Sequence, residues 1–518
     1  MNHSENGETN ERKESTSIEP SIQEDKSSDT LDLQGKAKLS SSDEKKDKLK
    51  HFFFNFWTGL LSGVMIVLVC FIFYKTVRPT SQLKAKDIEK LDQVYSSLSN
   101  GYVKKLSSKQ LVDGAIKGMA EATEDPFTQY LNEKDTASFS ESMDAQFEGI
   151  GASLSLVSKR IIIIAPIKGS PAEKAGLEAN DEIIKVNGRS VEGKSLAKVV
   201  ASVRGKKGTE VRLTIKRGNK EQEYKLKRDT IPIETVNASI DEKHPEVGII
   251  EVTNFAKPTS QELQAAIQSL RSKGVKRFVL DFRSNPGGLL DQALAIANMF
   301  VKNGQNLMQT EDRDHKRVIY KASDQLGSLK VTEPTVMLIN GGSASASEIV
   351  AGALKESAGI PLVGEKSFGK GTVQTVQELA NKTELKFTVN KWLTPKGNWI
   401  HRLGIQPTDP IEPAKASKLL MVISSDKLVK GKENEEILNL NLVLRELGYQ
   451  LPAAITYDDS TESAIKSFQQ AHHLKVTGQV DDDTAASLTQ SLRDQLKTQD
   501  PQKDAAIKKV LELNYNAH

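Results

Sequence analysis

Gly341-Gly342-Ser343-Ala344-Ser345-Ala346-Ser347-Glu348 joins an apolar run at 336–339 to a stretch of helical spacing from about 346 to 356. A strand that feeds a helix through a turn of small residues is one α/β unit, and the same rhythm runs upstream of it. Residues 247–252 read as strand, 261–272 as helix, 277–282 as strand and 289–300 as helix. Strands alternating with helices predict an α/β-layered core over 229–415. A serine in the turn would hold its Oγ at the positive end of the following helix, where the negative charge of an acyl-transfer intermediate is favoured. The same letters have a plainer meaning, since Ser345-x-x-Glu348 is also a capping box that any helix can use. The turn alone does not choose between the two.

A second stretch bears on that choice. Gly364-Glu365-Lys366-Ser367-Phe368-Gly369-Lys370-Gly371-Thr372-Val373-Gln374 has the look of a phosphate-binding loop. However, Gly371 stands where a Ser or Thr should hold Mg²⁺, and a strand-like alternation follows it, not a helix. Nucleotide binding is therefore disfavoured. The alternation places Lys370, Thr372 and Gln374 on one face of a strand. In an apolar cleft Lys370 could serve as a general base if its pKa fell from ~10.4 to about 7–8, with Gln374 orienting the amine. On an edge strand the same residues would be a solvated polar face. His401, in Trp399-Ile400-His401-Arg402, has no nearby acid to orient it and is a poor candidate base.

Around this core the composition changes several times. Residues 1–50 are polar and charged and predict a disordered cytoplasmic tail. Residues 52–74 carry no charged side chain over 23 positions, about 35 Å of helix, which suffices for a ~30 Å hydrocarbon core. Trp57 and Tyr74 sit near its ends, and no A-x-A cleavage site follows, so an uncleaved single-pass anchor is expected. Six lysines in the twenty residues before it, against five Lys/Arg in the twenty after, put the large C-terminal body outside the cytoplasm, at the cell membrane. Residues 84–137 read as helical, with Leu91, Val94, Leu98 and then Leu111, Ala115, Met119 in register, broken by Asp125-Pro126-Phe127-Thr128. Residues 138–228 read as β-rich. A Lys-rich connector at 415–432 leads to a compact helical segment at 433–491, and 492–518 reads as a charged tail. The net charge of +3 over 518 residues gives no case for nucleic acid. The single cysteine, Cys70, excludes an internal disulfide and a multi-thiolate metal site. No cofactor and no metal is expected.

The core resembles the C-terminal processing, or tail-specific, peptidases over roughly residues 90–412. Residues 342–349, Gly-Ser-Ala-Ser-Ala-Ser-Glu-Ile, match the family's nucleophile motif. Lys370 follows Ser345 by 25 residues and Gln374 follows Lys370 by four, as in that family. Asp281-x-Arg283-x-Asn285-Pro286-Gly287-Gly288 matches its glycine turn, and Gly404-Ile405-x-Pro407 its closing motif. The resemblance implies that Ser345 attacks the scissile carbonyl and that neutral Lys370 takes its proton. It also implies an oxyanion hole from the backbone N–H groups of Ala346 and Gly287 or Gly288. Some relatives place a carboxylate eleven residues after the serine, where this chain has Glu356. Eleven helical residues rise ~16 Å, which favours Gln374 as third member and leaves Glu356 the lesser option.

Family members carry an embedded PDZ domain, and 138–228 is similar to one. Gly149-Ile150-Gly151-Ala152 stands where such domains offer N–H groups to a terminal carboxylate, and Arg204 is the residue expected to communicate with the core. The C-terminal segment resembles small peptidoglycan-binding domains, through Leu442-x-Leu444-x-x-Leu447-Gly448-Tyr449 and Leu474-x-x-Thr477-Gly478-x-Val480-Asp481. The expectation is thus a multidomain α/β and α+β protein: an anchored serine endopeptidase acting on proteins with exposed C-terminal tails. Peptidoglycan is a further expected partner, and a homodimer is compatible with this reading. The rival of another class is a non-catalytic scaffold of PDZ and wall-binding modules, against which intact Ser345, Lys370 and Gln374 argue.

Overall fold

The computed structural model describes residues 83–157 and 160–514. The expected tail at 1–50 and anchor at 52–74 lie outside these residues. No helix among those described is long and apolar enough to cross a membrane. The chain divides into two units, residues 1–104 and 105–518. The described part of the first centres on one helix, Ala85–Gly101, on which Ile88, Leu91, Val94 and Leu98 recur at helical spacing and are exposed.

The second unit is built on a six-stranded sheet. Its order is Val236–Ile240, Val247–Val252, Arg277–Asp281, Thr335–Ile339, Leu362–Gly364 and Asp409–Pro410. The first pair is antiparallel and every later pair parallel. Its central strands are continuous apolar runs because both faces are covered. Period-two alternation assigns the faces. Phe278, Leu280, Met337 and Ile339 pack with Leu263, Ile267, Ile296, Ala297 and Val350, from the helices Thr259–Ser272, Leu290–Phe300 and Ala346–Ala353. Val279, Val336 and Leu338 point the other way, onto Ala506, Ile507 and Val510 of a helix at Pro501–Glu512. The expected charged tail at 492–518 is therefore corrected. Its first residues end the helix Asp482–Thr498, and the helix after it closes the second face of the protease sheet.

A second sheet of five strands was not visible in the α/β rhythm. Gln129–Leu131, Thr383–Leu393, Asn306–Glu311 and Arg317–Lys321 lie in that order, with Thr372–Leu379 forming a hairpin with Thr383–Leu393. All its pairs are antiparallel.

The β-rich segment is a separate five-stranded sheet with a small side strand, closed by the helix Leu196–Val203 over a core that includes Ile163, Val199, Leu213 and Leu226. Ala152–Val157 is its edge strand. The helix Glu133–Asp144 runs across the boundary expected at 138. The C-terminal module packs the helices Glu435–Glu446, Asp459–Ala471 and Asp482–Thr498 around Leu440, Leu444, Ile465, Phe468 and Leu488. Asn434, Asp458 and Asp481 cap the three helices, each side chain accepting backbone N–H bonds. The connector is part of this core, since Ala416, Val422 and Leu428 are buried in it.

Candidate active site

The strand Thr335–Ile339 ends at the small-residue turn, and Ser345 sits at its apex with φ 55° and ψ −112°, outside the helical region. A non-glycine residue there is strained by about 1–3 kcal/mol and persists only if its surroundings hold it. They do. The Ser345 N–H donates to Glu348 Oε2 at 2.8 Å, and the N–H groups of Glu348 and Ile349 donate to Ser345 O at 2.8 and 2.9 Å. The capping reading is thus realised in this turn, and the strained backbone that presents Ser345 is compatible with the catalytic one.

Glu348 does more than cap. Fully buried, it accepts from Ser367 Oγ at 2.5 Å and the Gly369 N–H at 2.7 Å on Oε1, and from the Lys370 N–H at 2.8 Å on Oε2. One oxygen therefore binds the backbone nitrogens of both Ser345 and Lys370, which lie no farther apart than twice that bond length. Trp392 Nε1 pins the Lys370 carbonyl at 2.7 Å from the other side. Lys370 itself precedes the strand Thr372–Leu379, so a loop presents it, not the strand face expected from the alternation.

Ser345, Ala346, Gly287, Gly288, Lys370 and Gln374 line one cavity of about 370 Å³ with an apolar wall of Leu290, Ile349, Val373 and Trp392. Burial, reinforced by the positive charge of Lys386 in the same cavity, brings the Lys370 ammonium down to a pKa of about 8, while Asp125 and Glu348 oppose the shift. Lys370 Nζ stands 4.8 Å from the centre of the Phe127 ring.

The amide nitrogen of Gln374 donates to Thr372 Oγ1 at 3.0 Å and Thr388 Oγ1 at 3.1 Å. With both amide hydrogens so used, Gln374 Oε1 is the atom left to accept from the cavity. Thr388 Oγ1 in turn donates to Asp125 Oδ2 at 2.6 Å, and Thr128 Oγ1 donates to the same oxygen at 2.7 Å. Asp125, Phe127, Lys386 and Thr388 are site residues that sequence reasoning did not find. Asp125-Pro126-Phe127-Thr128 was legible only as a helix breaker, and its partners lie far along the chain.

The glycine turn closes the cavity beside the nucleophile. A Cβ on Gly287 would stand 2.9 Å from Ser345 Cβ, and one on Gly288 would strike Phe255 O at 2.2 Å, so neither position admits a side chain. The Gly287 N–H donates to Asn285 Oδ1 at 2.9 Å. Of the two glycine alternatives, Gly288 is thus the one whose N–H stays unengaged. Among the described residues neither the Gly288 nor the Ala346 N–H has a hydrogen-bond partner.

The remaining candidates are placed elsewhere. Glu356 accepts from the Lys396 N–H at 2.8 Å and from Asn398 Nδ2 at 3.4 Å, which commits its carboxylate to another turn and removes it as the third member. His401 stacks on Trp399 and takes the Gly371 N–H at 3.4 Å on Nδ1. Burial, helped by Arg402, holds its pKa below the ordinary histidine value. Ser343 and Ser347 are fully buried, their hydroxyls donating to Phe282 O at 2.8 Å and Asn285 O at 2.9 Å.

In the PDZ-like sheet, Gly149 and Ile150 are buried, and a Cβ on Gly151 (φ 73°) would meet Ser170 Cβ at 2.3 Å. Ala152 opens the edge strand beside the helix Leu196–Val203. Arg204 pairs with Glu141 at 3.3 Å, and its guanidinium carbon lies 4.7 Å from the centre of the Phe147 ring. Glu141 lies on the helix Glu133–Asp144, which sends Phe139, Ser142 and Met143 into the wall of the active cavity.

A chain 40% identical over 464 residues, covering 89% of this one and 98% of the other, is the carboxy-terminal processing protease CtpA of Bacillus subtilis (strain 168). This chain belongs to the carboxy-terminal processing proteases. It is a serine-type enzyme of peptidase family S41, whose model matches residues 246–411. A probable CtpA-like serine protease of Staphylococcus aureus (strain N315) is 37% identical over 451 residues, covering 87% of this chain and 90% of that one. A PDZ domain model matches 162–217, and a model of the N-terminal domain of the activating protease CtpB matches 74–136. A peptidoglycan-binding domain model matches 433–488. Among solved structures, the photosystem II D1 C-terminal processing protease is 27% identical, covering 64% of this chain and 94% of that chain at a TM-score of 0.38.

Proposed function

We propose that this protease cuts peptide bonds with Ser345 as nucleophile and Lys370 as general base, and does so outside the cytoplasm from a membrane anchor at 52–74. The observation that carries the reading is the Glu348 carboxylate, one oxygen of which holds the backbones of Ser345 and Lys370 together at 2.8 Å each. A lysine whose pKa lies at about 8 is partly neutral at working pH and can accept a proton. Neutral Lys370 takes the Ser345 Oγ proton as Oγ bonds to the scissile carbonyl carbon. The Ala346 and Gly288 N–H groups receive the oxyanion. The ammonium then protonates the departing amine, and the acyl-enzyme is released by a water whose proton Lys370 again accepts. Gln374 Oε1, fixed through Thr388 and Asp125, orients the amine.

Substrates reach this site by their tails. The free edge of Ala152–Val157 offers backbone groups for an added strand, and the 149–152 turn takes the terminal carboxylate. The module at 433–488 tethers the enzyme to peptidoglycan. Incubating the protein from residue 80 onward with unfolded polypeptides, beside Ser345→Ala, tests the core of this proposal. Cleavage by the unaltered protein and none by the variant is expected. Equal cleavage by both would overturn it.

A further inference from the structure

The helix Pro501–Glu512 returns to the protease sheet from beyond the helical module, and it is fastened there at four points. Ala506, Ile507 and Val510 fill the apolar face of the sheet. Arg277 donates to Val510 O at 2.6 Å and Leu513 O at 2.7 Å. Lys509 pairs with Asp409 at 2.8 Å, and Gln502 donates to Ile411 O at 2.9 Å. These contacts are what any covering helix needs.

A fifth contact is of another kind. Asp500, the residue that caps this helix, accepts from both terminal nitrogens of Arg283, at 2.8 and 2.7 Å. Arg283 is also held by Asp281, at 2.6 Å from one of the same nitrogens. The three side chains are largely enclosed, at 19%, 15% and 21% exposure for Arg283, Asp281 and Asp500. Burial alone would raise the Asp500 carboxyl, but Arg283 and the Lys503 N–H more than offset it and hold it below the usual aspartate value.

Arg283 begins the turn that ends at Gly288. From Arg283 the chain passes through Ser284, at φ 57°, whose N–H donates to Asn340 Oδ1 at 2.7 Å. Asn340 Oδ1 also takes the Gly342 N–H at 2.9 Å, and the Ala344 N–H donates to Asn285 O at 3.0 Å. The glycine turn and the nucleophile turn are therefore cross-braced, and Arg283 is the anchor of the pair on the side away from substrate. We propose that the C-terminal helix is a working part of the protease, Asp500 gripping Arg283 so that the turn 283–288 sets the Gly288 N–H against Ser345. Asp500 is a positioning residue, and the peptidoglycan-binding-like module is consequently inserted within the protease fold, held by it at both ends.

The proposal rests on the assignment of Ser345 and Gly288 above, and its test separates the two. In the full-length protein, Asp500→Asn keeps the shape of the cap but gives up one acceptor and the charge. Misplacing an oxyanion donor by a fraction of its bond length costs between about tenfold and a hundredfold in turnover. The expected result is a fall of that size in kcat, with KM changed less than about twofold. Affinity for a peptide aldehyde, which mimics the tetrahedral intermediate, should fall by the same factor. Asp500→Glu should recover part of the loss. Lys509→Ala removes another fastening of the same helix and should leave kcat unchanged. Wild-type kcat in Asp500→Asn, or an equal loss in Lys509→Ala, would overturn the positioning role. A Ser345→Ala protein that still cleaves, run alongside, would instead sink the assignment beneath it.

Discussion

Lys386 shares the active cavity with Lys370, and its positive charge disfavours the Lys370 ammonium. A lysine at its ordinary pKa of 10.5 is about 0.1% neutral at pH 7.5, whereas one at about 8 is roughly one-quarter neutral. The environment of Lys370 is thus worth roughly two-hundred-fold in available base at that pH. Burial supplies the largest part and Lys386 the next. Replacing Lys386 by Met preserves its length and its packing against Phe139, 5.5 Å from the ammonium, and removes the charge. The Lys370 pKa should rise, so the ascending limb of kcat/KM against pH should move to higher pH while the alkaline plateau stays in place. Each unit of displacement lowers kcat/KM at pH 7 about tenfold. Asp125→Asn, which removes a negative charge that favours the ammonium, should move the limb the other way. The assay is a fluorogenic peptide read between pH 6 and 10, with the wild-type limb near pH 8. A limb that stays fixed in Lys386→Met, or one near ~6.5 in the wild type, would refute lysine as the base.

Ser345→Ala and Lys370→Ala should each abolish cleavage of that peptide, whereas Ser347→Ala should keep turnover within about tenfold and lose about 1 kcal/mol of stability, since it gives up one buried hydrogen bond. Lys370→Met should be inactive yet more stable below pH 8. The folded pKa of Lys370 lies below its unfolded value, so the fold carries a buried ammonium below about pH 8 and stability rises between there and 10.5. Thermal melts across that range should lose this rise in the variant, at most about 3 kcal/mol, and a variant less stable than wild type at pH 7 would contradict the burial argument. A peptide with a free C-terminal carboxylate should stimulate cleavage of a separate reporter, and its amidated twin should not. Arg204→Ala should blunt the stimulation, and equal stimulation by both peptides would remove the PDZ-like segment as an activator.

The parts of this site that lie close together in the chain could be read from it. The Ser345 turn and the paired glycines were legible as turns of small residues, while the linking of Ser345 with Lys370, 25 residues on, came from the resemblance to the peptidase family. Glu348 was visible only as the last letter of a capping box, because three of its four partners, Ser367, Gly369 and Lys370, come from a different loop. The Asp125–Thr388–Gln374 chain was invisible for the same reason. The five-stranded antiparallel sheet was missed because Arg317–Lys321 is largely exposed, and Asn306–Glu311, though buried, is mostly polar, so neither shows clear apolar alternation. The C-terminal helix was misread through its lysines and aspartates. Its Ala506, Ile507 and Val510 share one face, but three buried apolar residues in twelve do not announce a partner that lies on the far side of another module.

The contact of Arg204, which follows the helix of the PDZ-like sheet, with Glu141 and Phe147 is weak, and that would suit a switch. Arg204 and Glu141 are exposed at 49% and 35%, so their ion pair is worth ~0.2–1 kcal/mol, and the stacking of Arg204 on Phe147 adds about 0.5–1 kcal/mol. A latch of this size is within reach of a bound tail, because a ligand preferring one arrangement by 1–2 kcal/mol shifts the balance roughly five- to thirtyfold. The latch bears on the helix Glu133–Asp144, whose far end Lys257 fastens through Met143 O and Asp144, and that helix carries Phe139 against Lys386 and Met143 into the cavity wall. Tilting it would change both the shape of the substrate cavity and the cover over Lys386, the largest of the charges that set the pKa of Lys370. By contrast, Glu348 is fully buried and the Asp281–Arg283–Asp500 cluster largely enclosed, both are multiply bonded, and no tail-binding energy of that size would break them. On the proposed roles, the Ser345 turn and the turn 283–288 are held by the stronger contacts, and the cavity wall and Lys386 by the weaker ones, so a tail-driven switch would act on the latter.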